Sequence, residues 1–249
     1  MRLLGIITFC LAFLVLAGSA QTARTVEYPN SHLRALEVDE GSRPFVLLHG
    51  YASSPQQWLP FVATIRRPSD TRLIFPEGPD VRPDGHGRGW WPLDLASHRD
   101  STGLPDLSRT RPAGLAAAAT RVQTLLEEIT ASAGGRPGDL LLGGFSQGAM
   151  VSAEIAFRSD TPLKALILLS PSVIDEPSWR DGIPLRRGLP VFIAHGRQDE
   201  VLPFSTSARL AETLRTAGLK VTWFPFDGAH DIPQPVVGAL NDFLAAVDR

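Results

Sequence analysis

Six short apolar runs punctuate the chain: "PFVLLHG" (44–50), "RLIFPEGP" (72–79), "DLLLGGFS" (139–146), "KALILLSP" (164–171), "LPVFIAHG" (189–196) and "KVTWFPFD" (220–227). Each holds a few residues that are nearly all apolar, with glycine or proline at or near its end. An alternating pattern would mean one wet face. A continuous apolar run means burial on both faces, as in a parallel sheet covered by helices. Between the runs lie helical patterns. The stretch 114–133 is rich in alanine and leucine and stops at a Gly-Gly pair. "QGAMVSAEIAFR" (147–158) follows a serine, 204–218 stops at a glycine, and 233–248 starts with prolines. The segments "TVEY" and "LRALEVD" are expected to add antiparallel edge strands. Strand–helix alternation over this length predicts one α/β domain, residues 21–249, built on a mostly parallel twisted sheet with helices on both faces. The stretch 82–112 mixes glycines, prolines and charges, and predicts a long excursion loop over the sheet. Loops of that length in compact domains are often functional.

Composition narrows the partners. The chain has 249 residues, 43% hydrophobic and 20% charged, with a net charge of −2. No block of like charge is present, so no basic stripe for nucleic acid is expected. The N-terminus reads as a secretory signal. Arg2 precedes an apolar run from Leu3 to Ala17, and small residues end at Ala20. The run is short for a membrane span, which needs about 20 residues. The expectation is cleavage after Ala20, no stable span in the mature chain, and a secreted or periplasmic location. Cys10 is the single cysteine and lies inside this segment, away from its end, where it is not placed for lipid attachment. The mature chain would hold no thiol, which removes disulfides, cysteine nucleophiles and Cys-based metal sites from consideration.

The candidate chemistry begins at Ser146, in "GFSQG". The pattern matches the G-x-S-x-G elbow, in which a sharp strand-to-helix turn exposes a serine oxygen above the sheet. Five residues alone carry little weight. The preceding leucines as a buried strand, and Ala149, Met150 and Val151 as the start of a helix, carry more. Small residues at 144 and 148 allow strand and helix to approach where a Cβ would collide. A serine hydroxyl needs a base. His195 and His230 are the two histidines after Ser146. His230, just past the last strand, is the expected base. His195, at the end of its own strand, is read as a residue that orders its loop. Asp199 follows that strand by a short turn and is the expected acid, with Asp181, Asp227 and Asp231 as other carboxylates within range. The oxyanion would be held by the backbone N–H of Gln147 and of Tyr51, with His49 and Gly50 shaping the loop that carries Tyr51. His86 and His98 have no ligand partner at metal spacing, so neither a metal nor another cofactor is expected.

Four stretches, "LLHGYASS", "GFSQGAM", "AHGRQDEVLP" and "DGAHDIP", resemble the phospholipase/carboxylesterase branch of the α/β-hydrolases, which also holds acyl-protein thioesterases. They occur in family order across roughly residues 44 to 235. The resemblance implies an α/β-hydrolase fold and a Ser-Asp-His triad on Ser146, Asp199 and His230, with oxyanion donors at Tyr51 and Gln147. It implies a serine esterase acting on a small-molecule ester. Thioesters, amides and polyesters are the alternative substrates, and a ligand-binding protein without catalysis is the alternative role. "RGWWPLD" (88–94) resembles the family's acyl-site segment and puts Trp90 and Trp91 forward as substrate-binding residues. The chain departs from the family pattern at "YASS", where a Gly-Asp pair is common, and at "LSPSVID", which lacks a usual glycine.

Overall fold

The computed structural model describes residues 23–249 apart from 69, 83, 84, 102, 134, 135 and 137. The expected export segment, 1–20, lies outside the described residues. In chain order the elements are β1 (Ala23–Tyr28), β2 (Leu33–Val38), β3 (Arg43–Leu48), α1 (Leu59–Val62), β4 (Thr71–Pro76), β5 (Asp80–Val81), β6 (Arg88–Gly89) and α2 (Leu115–Ala133). There follow β7 (Leu141–Phe145), α3 (Gln147–Arg158), β8 (Ala165–Leu169), α4 (Glu176–Arg180), β9 (Pro190–Gly196), α5 (Phe204–Thr216), β10 (Lys220–Phe226) and α6 (Gln234–Val247). The eight-stranded sheet runs β1-β2-β4-β3-β7-β8-β9-β10, and β5 pairs with β6 as a small separate ribbon. The six strands from β4 to β10 are parallel neighbours, and β1 and β2 add the antiparallel edge. This is the α/β-hydrolase architecture.

The unbroken apolar runs have the cause inferred for them. Along β3, Val46 and Leu48 enter the core on one face, while Phe45 and Leu47 enter the core on the other. Along β9, Val191 and Ile193 divide from Phe192 and Ala194 in the same way. One face is covered by α2, α3 and α5, the other by α1 and α6. Burying a side chain of this size stabilises the fold by about 1.5–3 kcal/mol, so both layers contribute. Edge strand β1 is largely exposed and has no such run.

The topology decides where a ligand site forms. From β3 the chain moves outward to β4. It then returns to the other side of β3 as β7 and continues outward through β8, β9 and β10. Right-handed crossovers moving in opposite directions put their helices on opposite faces. Chain leaving the ends of β3 and β7 therefore diverges, and a crevice opens between them. Leu48 at the end of β3 pairs with Gly144 near the end of β7. The residues that follow are His49, Gly50 and Tyr51 on one side and Ser146 on the other. Between β6 and α2 the chain holds no helix and no longer strand among the described residues.

Candidate active site

Ser146 joins β7 to α3 with φ 54° and ψ −117°. A non-glycine residue rarely adopts such angles, and they cost on the order of 1–3 kcal/mol unless the surroundings hold them. Several contacts do. The Ser146 N–H donates to the Leu169 carbonyl at 2.9 Å, and Met150 N–H donates to the Ser146 carbonyl at 3.1 Å. Helix α3 is buried along almost its whole length, so it cannot swing away. A Cβ on Gly148 would stand 2.2 Å from the Leu48 carbonyl oxygen, and one on Gly144 would stand 2.5 Å from the Gly148 carbonyl carbon. Both glycines are needed because strand, turn and helix meet at contact distance. The first N–H groups of α3, beginning with Gln147, have no carbonyl within the helix to bond and give its start a positive potential.

The loop after β3 lies against this turn. A Cβ on Gly50 would come within 3.4 Å of Ser146 Cβ. Tyr51 is half-buried beside it. The loop is held by bonds to the 78–91 segment. Gly78 N–H donates to His49 Nε2 at 2.9 Å, and His49 Nδ1–H donates to the Gly50 carbonyl at 2.7 Å. Burial pushes the His49 pKa down to about 4, so the ring is neutral above that pH, as both bonds require. Ser53 and Arg88 exchange backbone bonds of 3.2 and 2.8 Å. The Trp90 indole N–H donates to the His49 carbonyl at 2.8 Å.

Gln147 closes the arrangement from the helix side. Its Oε1 accepts from Trp90 N–H at 2.9 Å, and its Nε2–H donates to the Trp91 carbonyl at 2.8 Å. The side chain is fully buried, so these two bonds satisfy a polar group that has no access to water. Trp90 and Trp91 are each 2% exposed and pack in the core with Leu48 and Leu115. Their backbone groups meet the Gln147 side chain, and the Trp90 indole N–H meets the loop after β3.

Farther along the same edge of the sheet, in the loops after β9 and β10, Asp199 and His230 meet. Arg197 N–H bonds the Phe226 carbonyl at 2.8 Å, and Gln198 N–H bonds the Gly228 carbonyl at 3.0 Å, which stitches the loop after β9 to the loop after β10. His230 Nδ1 lies 2.6 Å from Asp199 Oδ2. With that N–H donating, Nε2 is the free nitrogen of the neutral ring. The His230 ring packs on Phe145, the neighbour of Ser146, with centroids 4.7 Å apart. Asp199 Oδ1 accepts the N–H groups of Val201 and Leu202, both at 2.8 Å. Burial works against the Asp199 carboxylate, but hydrogen bonds from His195 and His230 outweigh it and hold its pKa well below the usual carboxylate range. Asp227 faces Arg197 at 3.5 Å with its side chain 87% exposed, and burial shifts the Asp231 carboxyl upward.

Residues 38–248 match the sequence profile of the Phospholipase/Carboxylesterase family. The chain belongs to that family. It is a hydrolase of the esterase and thioesterase type. Acyl-protein thioesterase 1 of Yarrowia lipolytica is 27% identical over 191 residues, covering 74% of this chain and 82% of the relative. Acyl-protein thioesterase 1 of Neurospora crassa is 23% identical over 206 residues, covering 79% and 80%. Among solved structures, esterase PE8 is 28% identical, with a TM-score of 0.68 over 91% of this chain and 99% of that one. Arabidopsis thaliana SOBER1 is 19% identical with a TM-score of 0.69 over 83% and 99%, a likeness of fold alone.

Two features of the site were not visible in the sequence. One is the clamp of the Gln147 side chain on Trp90 and Trp91, which joins positions 56 and 57 residues apart. The other is the contact of His195 Nε2 with Asp199 Oδ2, at 3.0 Å. The four-residue spacing of His195 and Asp199 was the available signal for the second.

The clamp can be tested by Gln147→Leu, which keeps the volume and the backbone N–H but leaves the Trp90 N–H and Trp91 carbonyl unpaired. Each orphaned group costs about 1–3 kcal/mol, so Tm falls by about 5 °C or more and ester turnover falls at least about tenfold as the loop loosens. An unchanged Tm by calorimetry, with full turnover, contradicts it.

Proposed function

We propose that this protein hydrolyses carboxylic esters or thioesters through an acyl-enzyme on Ser146, with His230 as base, Asp199 as its orienting acid, and the N–H groups of Gln147 and Tyr51 as the oxyanion site. The observation that carries the reading is the 2.6 Å contact of Asp199 Oδ2 with His230 Nδ1, in a ring packed at a tilt against Phe145, the neighbour of Ser146. Ser146 Oγ attacks the acyl carbon while its proton passes to His230 Nε2. The carbonyl π electrons move to the oxygen, which the two amides hold. The Asp199 carboxylate stabilises the imidazolium without taking its proton. Collapse of the tetrahedral species expels the alcohol or thiol, protonated by His230. Water then adds to the acyl-serine with His230 again taking a proton, and the acid leaves as Ser146 Oγ is reprotonated. Fixed amide dipoles aimed at the developing oxyanion are worth about 10²–10³ in rate per donor. Trp90 and Trp91 act on the substrate through the loop that they anchor.

The ester reading agrees with the likeness to esterase PE8. The thioester reading is favoured by the acyl-protein thioesterases among the relatives, and the triad serves both because the leaving group alone differs. Ser146→Ala is expected to lower p-nitrophenyl ester and acyl-thioester turnover by about 10⁴-fold or more, with circular dichroism unchanged. Side-by-side kcat/KM on an ester and a thioester of the same acyl chain ranks the two substrates. Retained turnover of both by the variant removes the assignment.

We also propose export. The segment from Arg2 to Ala20 has the layout of a cleaved signal. Among the described residues no helix is long and apolar enough to cross a membrane. N-terminal sequencing of protein recovered outside the cytoplasm should begin at Gln21. Recovery only inside the cell, with Met1 intact, contradicts this.

A further inference from the structure

His195 is a buried imidazole that the reaction above does not use. It sits at the end of β9 with no exposed surface. Its Nε2 lies 3.0 Å from Asp199 Oδ2 and 3.1 Å from the Leu202 carbonyl. Both are acceptors, so Nε2 carries a proton whatever the charge on the ring. On the other side, Nδ1 lies 2.6 Å from Ser207 Oγ, in the first turn of α5. Ser207 Oγ is in turn 2.8 Å from the Pro171 carbonyl, just past β8. The ring is thus fixed at both ends, by β8 and α5 behind it and by the carboxylate in front.

Asp199 is saturated as a result. Oδ1 takes two backbone N–H groups, and Oδ2 takes one N–H from His230 and lies 3.0 Å from His195 Nε2, whose single N–H is shared between this oxygen and the Leu202 carbonyl. The Asp199 side chain has no exposed surface, so water cannot replace a lost donor. A phenyl ring would fill the space of His195 but leave Oδ2 with His230 alone.

We infer that His195 is a positioning residue for the triad: its Nε2–H holds Asp199 Oδ2 from behind, fixing the carboxylate at the angle and reach that His230 requires. This rests on the assignment of Asp199 and His230 to the triad. The contact also sets how strongly the carboxylate supports the His230 imidazolium. A carboxylate oxygen that shares its charge between two donors supports each one less. Removing His195 therefore strengthens the support for protonated His230, and the acidic limb of kcat/KM moves to higher pH. Besides His195 on β9, the titratable group coupled to this pair is Asp231, next to His230, while Arg197 pairs with Asp227. Asp231, Arg197 and Asp227 stay in place in the variants below.

The test is the pH dependence of kcat and KM on a p-nitrophenyl ester for the full chain carrying His195→Phe, His195→Gln or Ser207→Ala. A glutamine amide N–H can take the place of Nε2–H. His195→Phe is expected to lose about 10–100-fold in kcat with little change in KM, since misplacement of a catalytic group by about 1 Å costs about 10²-fold. Its acidic limb should rise by roughly half a pH unit or more. His195→Gln should recover most of the loss and return the limb towards wild type. Ser207→Ala, which frees Nδ1 and keeps the ring, should shift the limb in the same direction by less. Equal losses in the phenylalanine and glutamine variants with the limb unmoved would overturn the inference, as would wild-type behaviour of His195→Phe. If His195→Phe does not fold, an unmoved limb in Ser207→Ala overturns it. Asp199→Asn tests the triad separately. If that variant keeps wild-type turnover, the triad assignment fails whatever His195 does.

Discussion

A serine at φ 54° and ψ −117° would relax in an isolated peptide, and the rest of the molecule is arranged so that it does not. Strand β7 delivers the chain into the turn, and buried α3 carries it away. The Leu169 carbonyl takes the Ser146 N–H. Gly144 and Gly148 let the pieces close to contact. The constraint does two things at once. It sets Ser146 at the end of β7, and it places that residue at the start of α3, whose first N–H groups have no carbonyl within the helix to bond. The strain is offset by packing elsewhere in the domain, as is usual at such sites.

Around that turn the site is assembled from loops that the sheet topology brings together. Divergence of the chain between β3 and β7 puts the His49–Tyr51 loop beside Ser146. The parallel order β7-β8-β9-β10 sets the loops of Asp199 and His230 farther along the same edge. Each loop is then fixed by bonds that are not local. Gln147, His49 and Trp90 tie the loop after β3 to the helix start. The His230 imidazole is held by Asp199 and by packing against the Phe145 ring. The same carboxylate is gripped from behind by His195. Preorganised donors and a fixed imidazole are what acyl transfer needs, because little reorganisation is left for the reaction itself.

Much of the fold is legible in the chain because burial on both faces leaves continuous apolar runs. The runs at 44–50, 139–146 and 189–196 coincide closely with β3, β7 and β9. Helix α3 begins at Gln147 and ends at Arg158, as its pattern indicates. The short helices α1 and α4, of four and five residues, were not foreseen, since a single turn has no periodicity to read. The spacing around Ser146, Asp199 and His230 is also legible, since each stands just past a strand. The side-chain bonds of Gln147 are not, because they join residues whose proximity depends on the strand order and on the path of the loops, and local sequence carries no mark of either. The contact of His195 with Asp199 leaves only a four-residue spacing to read.

Acyl transfer here requires one convergence, of the Ser146 oxygen with the His230 ring and the amides of Tyr51 and Gln147. The most direct measurement is a crystal structure of the protein after reaction with a fluorophosphonate. Phosphorus is expected bonded to Ser146 Oγ, with the phosphonyl oxygen within hydrogen-bond distance of both amides and His230 Nε2 facing the adduct. An adduct on another residue, or a His230 ring turned away with Nε2 out of reach of Ser146, would contradict it.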